Sequence, residues 1–161
     1  MSYISVFQDA IKVDIQTRFV DFDMGQHLNN SSYLNYIEIA RVEGFTKAMK
    51  VDTTKEIGVA ANVSIDFMRP IRYGTPVSVL MRIKDIKGSS KQLYFEFVDS
   101  NDTSKVYAKA KMIQILFDTS TQKPIPVNDY IRSYANELEN NKESDSVMNY
   151  ISIQDRINET S

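Results

Sequence analysis

One segment with helical periodicity, apolar on most of its circumference, constrains this chain more than any other feature. From Ser31 to about Met49, Tyr33, Tyr36, Ile37, Ala40, Phe45, Ala48 and Met49 recur at three- and four-residue steps, and Leu34, Ile39 and Val42 widen the stripe. The spacing predicts a helix of about five turns that is covered on more than one side. Gly44 is a poor helix former, and close packing is the physical reason for it there. A helix this apolar needs a sheet large enough to wrap it.

The flanking segments read as that sheet. Val13, Ile15, Thr17 and Phe19 alternate with Asp14, Gln16 and Arg18, the pattern of a strand with one buried face. After the helix, Val59, Ala61, Val63, Ile65 and Phe67 alternate, and RPIRYGTP at 69–76 then interrupts with Pro and Gly. Val77, Val79, Met81 and Ile83 follow, then a KGSS turn, then Leu93, Phe95 and Phe97, then a turn at SNDTS. The last strand runs from about Val106 to Phe117, and its apolar phase slips near Met112, which predicts a bulge. The expected order is β-α-β-β-β-β, with the last four strands as an antiparallel meander. Tyr130, Ile131, Tyr134 and Leu138 predict a second helix, and MNYISIQDRI at 148–157 a short third one beyond a polar ENNKESDS stretch. The domain expectation is one unit over 1–140 and a polar extension over 141–161.

Composition removes several classes of chemistry. Nineteen basic and twenty-one acidic residues give a formal charge of −2, against a general grip on nucleic acid. Without Cys there are no disulfides, thiolate metal sites or Cys nucleophile, which fits a reducing compartment. One His leaves no believable zinc set, and neither a phosphate loop, a dinucleotide fingerprint nor a GxSxG elbow occurs. No cofactor and no metal are therefore expected. MSYISVFQDAIKVD lacks a basic region followed by an apolar run, and no apolar stretch approaches the ~18 residues of a span. The expectation is a cytoplasmic protein with no membrane partner.

DFDMGQHLNN, residues 21–30, concentrates two carboxylates, the only histidine and two amides directly before the helix. Asp and Asn there serve as caps, since their oxygens accept from free N–H groups of the first turn, and Asn29, Asn30 or Ser31 suits the N-cap. The same free N–H groups polarise a carbonyl and stabilise an oxyanion. A nearby carboxylate acts as nucleophile or as general base on water, and a histidine in the same turn orients it or moves a proton. Cap and acyl-transfer site are both open on these residues alone.

RFVDFDMGQHLNNSSYLNYIEIAR at 18–41 resembles the signature of hotdog-fold thioesterases of the 4-hydroxybenzoyl-CoA thioesterase type: an R-[FY]-x-D-x-D segment, a G/H/N-rich turn, and a Y-L-x-Y-x-E-x-A-R helix. MRPIRYGTPV at 68–77 is similar to the family's turn between strands, with Thr75 in place of the common Asp. DMGQHLNN is also similar to the DMNQHVNN segment of acyl-ACP thioesterases, except that Gly25 replaces a functional Asn. The resemblance implies an α+β hotdog fold: one long helix wrapped by a five- to six-stranded antiparallel sheet, plus the C-terminal helix. It implies a homodimer or homotetramer, with sites at the subunit interface, that hydrolyses acyl-CoA or acyl-ACP to a free acid and the thiol carrier. Asp23 corresponds to the catalytic carboxylate, the backbone N–H near Asn30 to the oxyanion donor, and His27 to an assisting histidine. Asp21 organises the turn. Asn29 and Tyr33 match the motif as substrate-binding positions, and Arg69, Arg72, Lys87 and Lys91, in or near turns, are candidates for CoA phosphates. The alternatives are a non-catalytic acyl-thioester-binding module of the same fold, or an interaction protein that docks a partner through its C-terminal helix and tail.

Overall fold

The computed structural model describes residues 4–44 and 51–141. In chain order the elements are β1 (Ile4–Phe7), β2 (Ala10–Ile15), a 3-10 turn (Phe19–Asp21), α1 (Asn30–Glu43), β3 (Glu56–Phe67), β4 (Val77–Lys87), β5 (Ser90–Asp99), β6 (Asp102–Asp118) and α2 (Asp129–Asn141). The strands form one six-stranded sheet in the order β1-β2-β4-β5-β6-β3, with antiparallel neighbours throughout. The α+β expectation of a long helix on an antiparallel sheet is met, but the expected four-strand meander is cut to three: β4, β5 and β6 are consecutive neighbours, whereas β3 pairs with β6 at the edge and β4 takes β2 on its other side.

Several details depart from the pattern. The N-terminal strand is a hairpin, β1–β2, that reverses at Gln8 and Asp9, with Gln8 in the left-handed region at φ 53°. β2 also stops at Ile15, not Phe19, because Asp21 accepts from both the backbone and the guanidinium of Arg18 and curls the chain into the 3-10 turn. The third departure is a bulge. Ala60 pairs with Gln114 and Asn62 with Ile113, so Ala61 is the extra residue. The bulge resets the alternation: Val63, Ile65 and Phe67 share the helix-facing side, and Val59 points to the other. β6 slips at Tyr107, between Val106 opposite Val98 and Ala108 opposite Phe97, and not near Met112. Past Met112 the inward positions are Gln114 and Leu116, and the apolar Ile113, Ile115 and Phe117 lie on the outer face.

The core lies between α1 and the middle of the sheet. Cross-strand rows Val79–Phe97–Ala108, Met81–Phe95–Ala110 and Ile83–Leu93–Met112 form its floor, and Tyr33, Tyr36, Ile37 and Ala40 of α1 cover it. A side chain at Gly44 would run into Met81, so the expected close packing is real. α2 adds Ile131, Tyr134, Ala135 and Leu138 to the same core. Among the described residues the apolar stripe of α1 is covered on one side only. Leu34, Ile39 and Val42 are exposed, as are Ile57, Val59 and Phe67 on the edge strand β3. Phe45, Ala48, Met49 and the segment expected as a third helix at 148–157 lie outside the described residues.

Candidate active site

Asp21 and Asp23 have opposite environments two residues apart. Asp21 is buried, 3% exposed. Its Oδ2 accepts from the Arg18 backbone N–H at 3.0 Å and the Tyr36 hydroxyl at 2.9 Å, and its Oδ1 accepts from Arg18 Nη2 at 2.9 Å. Its carbonyl takes the Asn29 N–H at 2.9 Å and the Ser32 hydroxyl at 3.0 Å. One residue thus ties the end of the 3-10 turn to the start of α1. Burial pushes the Asp21 carboxyl up, but the Arg18 guanidinium and the Tyr36 hydroxyl outweigh it and hold the group below the usual carboxylate range. The Tyr36 hydroxyl is driven up, by burial first and then by the carboxylate it serves. Asp21 is a brace.

Asp23 is exposed. Its N–H donates to the His27 carbonyl at 2.8 Å, its carbonyl accepts the Gln26 N–H at 3.0 Å, and its Oδ1 accepts the His27 N–H at 3.0 Å. Gln26 takes a left-handed conformation, φ 61°, to close this turn. A Cβ on Gly25 would lie 3.3 Å from Asp23 Oδ1 and 3.9 Å from His27 Nδ1, so carboxylate and imidazole flank the same glycine. The second landmark of the sequence comes in beside them. Leu28 N donates to Ile71 O and Tyr73 N to Gln26 O, both at 2.8 Å, and His27 pairs with Arg72 as an antiparallel bridge.

The start of α1 completes the cluster. Asn29 is its N-cap by position, but its side chain makes no capping hydrogen bond. The Ser32 N–H is taken by the Asn29 carbonyl. Among the described residues no hydrogen bond claims the N–H groups of Asn30 and Ser31. Helix-start donors left open beside an exposed carboxylate form an array that can stabilise an oxyanion.

The structure brings Asp23, His27, Asn29 and Asn30 into one turn and its helix start, and docks Arg72 against it. Arg69 is tied instead to the Tyr107 carbonyl, outside that bridge. Tyr33 is a core residue, with Phe67 and Phe97 edge-on at 4.9 Å and 5.1 Å. Lys91, a candidate for phosphate contact only through its place near a turn, is 2% exposed and points into the core face. Tyr73 is a residue that the sequence alone does not single out. Its ring meets Phe19 at 5.7 Å and Phe22 at 5.2 Å, and Tyr73, Phe19, Val20 and Met24 are all exposed. Its place inside RPIRYG, the segment that docks on the carboxylate turn, is the signal that could have found it. Among the described residues no group of three or more metal-ligating side chains occurs, and no helix is long and apolar enough to cross a membrane.

A long helix on a six-stranded antiparallel sheet, with a polar turn at the helix start, defines a hotdog-class protein. Residues 17–134 match the model of the thioesterase-like superfamily, and the chain belongs to that family. It is 24% identical over 131 residues to the long-chain acyl-CoA thioesterase FadM of Escherichia coli, covering 80% of this chain and 98% of FadM. A Thermus thermophilus thioesterase solved with coenzyme A and Zn superposes with a TM-score of 0.68 at 25% identity, over 87% of this chain and 98% of that one. The PA5185 protein of Pseudomonas aeruginosa shares the fold at TM-score 0.74 and 17% identity, over 84% and 96% of the two chains. Family and fold make this chain a thioester hydrolase.

Proposed function

We propose that this chain hydrolyses acyl-CoA to a free carboxylic acid and CoA, with Asp23 as the reacting carboxylate. The observation that carries the reading is the pairing of an exposed Asp23 with the open N–H groups of Asn30 and Ser31 at the start of α1. A thioester carbonyl seated on those donors gains charge stabilisation as its oxygen becomes an oxyanion. Asp23 then acts on the carbonyl carbon directly or through water, and His27 holds the turn and assists proton movement. Asn29 and Arg72 border the substrate, Tyr33 serves the core beneath the helix start, and the reaction needs no cofactor. The exposed surface of Tyr73, Met24 and Val20 receives the apolar acyl group.

The uncovered apolar residues support a second copy as part of the working unit. Leu34 and Ile39 on α1, with Phe67 and Met68 at the end of β3, present apolar surface near the site. We read the assembly as a homodimer or a homotetramer, residues 1–140 as the domain that carries the activity, and the location as cytoplasmic.

The test is thiol release from an acyl-CoA chain-length series, with acyl-ACP run in parallel. Wild type should turn over acyl-CoA, and Asp23→Asn should lose about two orders of magnitude or more in kcat/KM. Saturable binding without turnover would replace the enzyme with an acyl-thioester-binding module. Full activity in Asp23→Asn would leave a thioesterase with a different catalytic group.

A further inference from the structure

Two inward positions of the sheet are polar. Lys91 on β5 and Gln114 on β6 pair across the strands, one step beyond the apolar Leu93–Met112 pair, and are 2% and 1% exposed. Polar atoms this deep normally find partners. Gln114 Nε2 and Oε1 have none, and neither does Nε of Arg41. The three side chains line a cavity of about 230 Å³ whose apolar lining includes Val51, Ile57 and Leu116. Gly58 opposite is what admits the glutamine, because a side chain there would collide with the Gln114 amide.

Two buried donors without partners, Arg41 Nε and Gln114 Nε2, belong to residues that line the cavity. Among the described lining residues Arg41 and Lys91 are the cations and Glu56 is the carboxylate, already accepting from Asn128 Nδ2 at 3.2 Å. Burial lowers the Lys91 ammonium to about 8; Arg41 adds to this and Glu56 opposes it. Arg41 Nη2 is occupied by Glu38 at 2.6 Å, which leaves Nε as its open donor. The volume falls below the roughly 300–1,000 Å³ of drug-sized ligand pockets, so the occupant is small.

We propose that this cavity binds a small monocarboxylate, its head held by Arg41 Nε and the Gln114 amide and its short hydrocarbon body against Val51 and Leu116. The site is distinct from the one at Asp23. Arg41 lies about 16 Å along α1 from Asn30, and the buried Tyr36, Ile37 and Ala40 fill the helix face between them. The proposal therefore does not depend on the thioesterase reading.

Calorimetric titration of the full chain with sodium hexanoate tests it, in an Asp23→Asn background so that product binding at the first site is disturbed. One hexanoate should bind per chain, with similar affinity in wild type and Asp23→Asn. Gln114→Met, which keeps the volume and removes the amide, and Thr53→Trp, which blocks the exposed rim, should each weaken it about tenfold or more. If Gln114→Met does not fold, Thr53→Trp and uncharged hexanol decide, since hexanol should bind at least about tenfold more weakly than hexanoate. Absence of saturable binding, equal binding of hexanol, or loss in Asp23→Asn with retention in Thr53→Trp overturns the proposal.

Discussion

Both helices begin at an asparagine, and the two asparagines behave differently. At α2, Asn128 Oδ1 accepts the Ile131 N–H at 2.8 Å, the ordinary side-chain cap. At α1, Asn29 stands in the same position and makes no such bond. The start of α1 is held from outside the helix instead, through the Asp21 carbonyl, which takes the Asn29 N–H and the Ser32 hydroxyl. The terminus stays fixed while the N–H groups of Asn30 and Ser31 stay open. At each start the third N–H is taken, Ile131 by the Asn128 side chain and Ser32 by the Asn29 carbonyl, and what differs is that α1 takes its rigidity from Asp21.

That difference can be broken at several points. The largest expected effect is at the open start: Asp23→Asn should cut kcat/KM by about a hundredfold or more, with a melting temperature close to wild type because Asp23 is exposed. Asp21→Ala should do the reverse in kind. It removes hydrogen bonds from Arg18 and Tyr36 to a charged group, at about 2–3 kcal/mol of stability by denaturant unfolding. Its activity should fall with the position of the α1 start. Tyr36→Phe should show a smaller version of the same loss, about 1.5 kcal/mol.

The acid limb of stability sharpens the point. Asp21 has a lowered folded-state pKa, so its contribution is fully present above the unfolded carboxylate value near about 4. It is lost as pH falls through the lower folded value. Melting temperature against pH should therefore drop less steeply in Asp21→Asn than in wild type below about pH 4. At the closed start, Asn128→Ala should cost about 1 kcal/mol with turnover unchanged. Asn29→Ala should cost only a few tenths, since no side-chain cap is lost.

The helix and the β4-β5-β6 hairpins were legible because their periods are local: Tyr33, Tyr36, Ile37 and Ala40 repeat along one face whatever lies opposite, while the pairing of β3 with β6 was not. The chemistry-bearing turn was legible as a cluster of residue types and by resemblance. Its internal division came from burial: both aspartates look like caps until Tyr36 and Arg18 are seen to claim only the first. What stayed hidden was non-local. Val59, Ala61 and Val63 alternate cleanly on paper, and only the pairing with Gln114 and Ile113 shows that Ala61 is extra. Lys91 and Gln114 are polar by type, and only their partner strands show that they turn inward. Tyr73 sat within a quoted motif, yet its role depends on Phe19 and Phe22 from another segment.

The central claim is that the start of α1 is reserved for the substrate oxygen. Amide NMR during titration with an acyl-CoA analogue whose thioester is replaced by a non-hydrolysable ketone tests it most directly. The account predicts saturable shifts at the Asn30 and Ser31 N–H groups, with Ile131 at the capped start of α2 unmoved. Saturable binding of the analogue with Asn30 and Ser31 unshifted would contradict it.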